Sequence, residues 1–160
     1  MKRFLVFAAA LLLSTVAAFA QDGKSIYKKY SDQSEVSAVY ISPAMFRLIG
    51  KVPDMKLEGK DVNLTPLVRS LSGMYIIDSE NAAITDDLKR DVERLIASGD
   101  YELLMEAKDS GETIRMYTVG DDTVVNSFVM FALSGKETTF ICFDGKINRN
   151  DLENLISSAM

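Results

Sequence analysis

Apolar and polar residues alternate most regularly between Tyr101 and Asp144, where four apolar-rich runs are separated by short polar breaks. The runs are Tyr101–Lys108, Glu112–Val119, Thr123–Leu133 and Thr138–Asp144; the breaks are Asp109-Ser110-Gly111, Gly120-Asp121-Asp122 and Ser134-Gly135-Lys136. Gly reaches positive φ without steric cost, so these breaks suit hairpin connections and predict a four-stranded antiparallel meander. The third run is apolar on both alternating sets, with Val125, Val129, Phe131 and Leu133 on one and Val124, Phe128, Met130 and Ala132 on the other. A sheet with one solvated face would carry polar residues at every second position. Either helices cover both faces of this strand, or Phe128 and Met130 meet a partner.

Upstream, Ile26 and Tyr30 stand four apart and predict a short helix over 25–31. Glu35–Ile41 is β-branched and aromatic, apolar on both sides, which predicts a strand interior to the sheet. Ser42-Pro43 and Thr65-Pro66 each pair a capping hydroxyl with a proline suited to the first helical position, so short helices should follow both. Lys51–Asn63 has no clean period and reads as a surface loop, and Met74–Asp78 as a second strand. Ile84, Leu88, Leu95 and Ile96 form one stripe of a helix over 84–98, with Asp86 and Arg90 placed as an i,i+4 pair and Gly99 as its stop. Asp144-Gly145 reads as a turn, after which Asn148 caps a closing helix over 148–159 with Leu152, Leu155, Ile156 and Ala159 inward. The expected fold class is therefore α+β: a mainly antiparallel sheet with a four-stranded C-terminal meander and helices packed on it.

The first residues change the picture of where the chain works. Lys2-Arg3, the apolar run Phe4–Leu13 and the small-x-small end Ala18-Phe19-Ala20 match a secretory signal peptide over 1–20, with cleavage between Ala20 and Gln21. The expected mature chain is one domain over 21–160, periplasmic or secreted, with no stable membrane anchor. Losing Lys2 and Arg3 takes the formal charge from −5 to −7. An acidic chain without a basic block offers little to nucleic acid or anionic lipid.

Chemistry is narrowed mainly by what the composition lacks. There is no His, and Cys142 is the one cysteine. Imidazole bases, thiolate metal clusters and disulfides are thereby removed, and neither cofactor nor metal is expected. Cys142 lies in the run Phe140–Phe143 and reads as a small buried hydrophobe. Ser25-Ile26-Tyr27-Lys28 has the Ser-x-x-Lys spacing of penicillin-interacting enzymes but none of their other motifs. Asp144-Gly145 resembles the back half of a calcium loop, but the first ligand positions would fall on Phe140 and Cys142. Glu102 with Glu106 and Asp121 with Asp122 are available carboxylate pairs, without a Trp to form a sugar platform.

Tyr27-x-x-Tyr30-Ser31, Val39-Tyr40-Ile41-Ser42-Pro43-Ala44-Met45-Phe46, Tyr101-Glu102-Leu103-Leu104-Met105 and Phe143-Asp144-Gly145-Lys146-Ile147 resemble a family of small exported Bacteroidetes proteins catalogued only as a domain of unknown function. The resemblance implies an envelope location and supplies no catalytic residues. Members commonly carry a lipoprotein cysteine where this chain has Gln21. Asp122-Thr123-Val124 is similar to the O-glycosylation sequon of that group, so Thr123 is expected to carry a glycan, which the intact mass of envelope-purified protein would check. The expected function is that of a non-enzymatic interaction module, with a protein partner or a homodimer meeting Phe128 and Met130. The alternative is a small-molecule or glycan binder, or hydrolase, with a cleft near 42–60.

Overall fold

The meander forms as the pattern requires, and it carries two further strands on its far side. The computed structural model describes residues 22–49, 55–57, 60–62 and 65–159; the expected leader and its expected cleavage point at Ala20 and Gln21 lie outside them. In chain order the elements are α1 (Gly23–Tyr30), β1 (Val36–Ile41), α2 (Pro43–Ile49), β2 (Met55–Leu57), β3 (Lys60–Val62), α3 (Thr65–Ser70), β4 (Leu71–Ser79), α4 (Ala82–Ser98), β5 (Glu102–Asp109), β6 (Glu112–Gly120), β7 (Val124–Ser134), β8 (Glu137–Asn148) and α5 (Arg149–Ala159). Six strands make one antiparallel sheet in the order β1-β4-β8-β7-β6-β5. The fold is α+β with a mainly antiparallel sheet.

Local chemistry sets most element boundaries. The Asp22 side chain accepts from Ser25 N at 2.7 Å and opens α1. Ser42 caps α2 through its hydroxyl, which accepts from Met45 N at 3.2 Å. Asn81 Oδ1 accepts from Ala83 N at 3.0 Å to open α4, and Gly99 ends that helix. Asp121 closes the β6–β7 turn, accepting from Thr123 N, Thr123 Oγ1 and Val124 N at 2.7, 2.7 and 2.8 Å.

One face of the sheet holds the main core. Ile26 and Tyr30 of α1 and Leu88, Val92 and Leu95 of α4 bury against Tyr75, Ile77, Val129, Phe131, Phe140 and Cys142. Gly23 lets α1 approach closely: a Cβ there would collide with the Cys142 sulfur. Stacked Tyr40 and Tyr75, 5.2 Å between centroids, close this layer beside Tyr27. On the opposite face α2 packs on β4, while α3 and α5 pack on β8. Helices therefore lie on both faces of the sheet.

Several expectations need correcting. β1 is an edge strand, with Val39 exposed on the side turned away from the main core; its apolar residues on both sides do not mark an interior position. The described parts of Lys51–Asn63 pair as the short hairpin β2–β3, each strand being too short for alternation to show. Arg90 pairs with Asp87 rather than Asp86. Asp144-Gly145 is not a turn but part of β8, where the ladder with β4 shifts between Leu71 and Gly73. Gly145 is needed there because a Cβ would strike the backbone carbonyl of Ser70.

Candidate functional site

Ser25, Cys142, Glu106 and Asp121, among the residues with catalytic potential, are held in structural contacts. Ser25 Oγ donates to Asp22 Oδ1 at 2.5 Å as part of the α1 cap. Cys142 is fully buried; desolvation pushes its thiol up, and its sulfur lies 3.6 Å from both Ser127 Oγ and Asp144 Oδ1. Burial also raises the Asp144 carboxyl. Glu106 is gripped by Lys108 at 2.8 Å and Arg115 at 2.7 Å, which hold its carboxyl below the ordinary range. Hydrogen bonds from Thr123 and Val124 do the same for Asp121. Thr123 itself is exposed in the turn, and the described residues include no group of acids and thiols able to hold a metal ion.

One buried charge escaped the sequence reading. Asp91 is 2% exposed on the inner face of α4, and it accepts from Lys29 Nζ at 2.5 Å, Tyr30 Oη at 2.7 Å and Arg94 Nη1 at 3.1 Å. Its position was visible: Asp91 falls three residues after Leu88 and four before Leu95, on the apolar stripe itself. A charge on that stripe demands partners. Here they tie α1 to α4.

The face bearing α2, α3 and α5 is more open. Cross-strand register places Val39, Ile76, Ile141, Met130, Met116 and Met105 in one row spanning all six strands. The next row, Met74, Phe143 and Phe128, runs beneath the helices, with the two Phe rings stacked 5.7 Å apart. Phe128 and Met130 are both half-buried, on adjacent rows of this face. Between sheet and helices lies an apolar pocket of about 340 Å3, lined by Phe46, Leu67, Val68, Met74, Phe128 and Phe143 among others. Beside it is a cleft of about 530 Å3 walled by Pro43, Arg47, Arg69, Ser70, Ser72 and Lys146, and Phe46 and Leu71 line both spaces. The cleft thus begins within the expected 42–60 region, although residues 50–54 and 58–59 of that region lie outside the described ones.

A second candidate surface lies at the far end of the sheet. All eight residues of β5 are exposed, including Leu103 at 55%, Leu104 at 47% and Met105 at 42%. Among the described residues β5 has β6 on one side and no strand on the other. Its ladder with β6 shifts between Leu103 and Met105.

A family model described as Domain of unknown function (DUF4252) matches residues 28–155. The chain belongs to that family. No curated protein and no solved structure matches it. The DUF4252 match takes in every strand of the sheet, the described lining of the pocket and cleft, and β5. Among the described residues of this DUF4252 domain, no helix is long and apolar enough to cross a membrane.

Proposed function

We propose that this DUF4252 domain is an exported, non-enzymatic envelope module that holds a protein partner by pairing a strand with β5. The leader pattern over 1–20 supports export. The commitment of Ser25, Cys142, Glu106 and Asp121 to structural contacts supports a non-enzymatic role. The observation that carries the reading is β5, an eight-residue edge strand exposed along its whole length with Leu103-Leu104-Met105 within it. Charges at Glu102, Glu106, Lys108 and Asp109 flank that apolar stretch, and an uncovered edge with such a stretch is what strand addition uses.

A second copy is the partner best matched to this edge. Antiparallel pairing about Met105 would bring the two Met105 side chains together and set Glu102 opposite Lys108 twice in the dimer, where Lys108 would exchange Glu106 of its own strand for Glu102 of the other. Opposite charges facing across a strand pair contribute roughly 0.2–1 kcal/mol each. The test is light scattering on the purified protein, with crosslinking in the envelope of its own organism, alongside Leu103→Lys and Met105→Lys. A dimer, or a stoichiometric partner crosslinked through β5, should form and be lost in both variants, which stay folded and melt at a temperature independent of their concentration. A monomer at the highest soluble concentration, with no crosslink through β5, would sink the reading.

A further inference from the structure

The pocket and the cleft differ in chemistry yet share a wall, and that combination points to a ligand. Protein interiors pack at near-crystalline density, and the few voids they keep are small. The apolar pocket of about 340 Å3 opens to the surface and is not such a void, and its size falls in the ~300–1,000 Å3 range of small-molecule sites. Its walls are Leu, Val, Met, Ile and Phe side chains, so it offers nothing to a sugar or a polar metabolite. Beside it the cleft presents Arg47, Arg69 and Lys146, with no acidic side chain among its described lining residues. Arg47 and Lys146 make no ion pair among the described residues. In a chain of formal charge −5, a cleft whose described lining carries cations and no acid is complementary to an anion.

We propose that this site binds a single-chain anionic amphiphile of the fatty-acid class, the tail in the apolar pocket and the carboxylate at Arg47 and Lys146. Phe46 and Leu71, which line both spaces, are where tail meets head. A phosphate or an acidic peptide would satisfy the cleft and leave the pocket empty. A neutral lipid would fill the pocket and place no anion at Arg47 and Lys146. The assignment is independent of strand addition at β5.

Calorimetric titration of the purified protein with sodium octanoate, decanoate and dodecanoate, each below its micelle concentration, tests this. One molecule should bind per chain, tightening about fourfold per added methylene until the pocket is full. The double variant Arg47→Glu, Lys146→Glu should weaken dodecanoate about tenfold or more and leave dodecanol unchanged. Both cations are exposed, so this variant tests the head-group site without disturbing the core. Val68→Trp, which fills the pocket, should abolish binding of both ligands. Absence of saturable binding overturns the proposal. So does binding that is indifferent to chain length and to the Arg47 and Lys146 charges, which would be surface partition.

Discussion

Asp91 can remain charged among apolar neighbours because three donors from two helices converge on its carboxylate. One of them, Tyr30, is itself 2% exposed, and burial pushes its hydroxyl up to about 12, with the bond to Asp91 adding in the same direction. Burial likewise takes Tyr75 to about 12, with the Asp144 charge adding to it. An unfolded tyrosine ionises near pH 10. Between pH 10 and 12 the unfolded chain therefore loses protons that the folded chain keeps. The stability tied to these protons is fully present below pH 10 and is lost as pH rises through 12. Tyr30→Phe should reduce the slope of unfolding free energy in that window by up to about 1.4 kcal/mol per pH unit. At neutral pH the same change should cost about 1 kcal/mol, since Asp91 keeps Lys29 and Arg94 and loses one hydrogen bond. Denaturant titrations across the alkaline range measure both effects; an unchanged alkaline slope would mean that Tyr30 ionises in the folded state as readily as in the unfolded one.

Elements whose ends are made by local chemistry were legible in advance; those placed by distant pairing were not. The three hairpin breaks of the meander and the Ser42-Pro43 start could be read from adjacent residues, and each is found in place. β1 could not be placed, because an edge strand with Val39 outward and Val36, Ala38 and Tyr40 toward α1 has the same apolar content as an interior one. The pocket was equally hidden, since its walls come from α2, α3, β4, β7, β8 and α5 and meet only after folding. Asn81 shows how one residue can serve both local and distant structure. Its side-chain oxygen caps α4 through Ala83 N, while its amide nitrogen donates to the Ser34 carbonyl at 3.1 Å, in the segment before β1. Asn81→Ala should destabilise the protein by about 1–2 kcal/mol, at the upper end for a cap because both bonds are lost. Asn81→Asp, which keeps the accepting oxygen and drops the amide donor, should recover roughly half of that in thermal or denaturant melts. Equal losses in the two variants would assign the whole effect to the bond with Ser34.

At the scale of the whole molecule, helices sandwich one end of the sheet and leave the other bare, and stability should be graded to match. β8 lies between β4 and β7, with α1 and α4 on one face and α3 and α5 on the other. β5 has a single neighbouring strand and every residue exposed. Local opening free energies range from near zero at uncovered edges to the global value in doubly covered strands. Amide hydrogen exchange on the dilute protein should therefore be slowest around Phe140 and Cys142 and fastest along β5. The two proposed sites sit at opposite ends of this gradient, so exchange can separate them. Dodecanoate should slow α3, β4 and β8 around the pocket and leave β5 as it was. Raising the protein concentration should slow β5 alone, as strand addition gives its free edge a partner. If β5 in dilute protein were as protected as β8, that edge would already be paired in the monomer, and a partner strand would have nowhere to add.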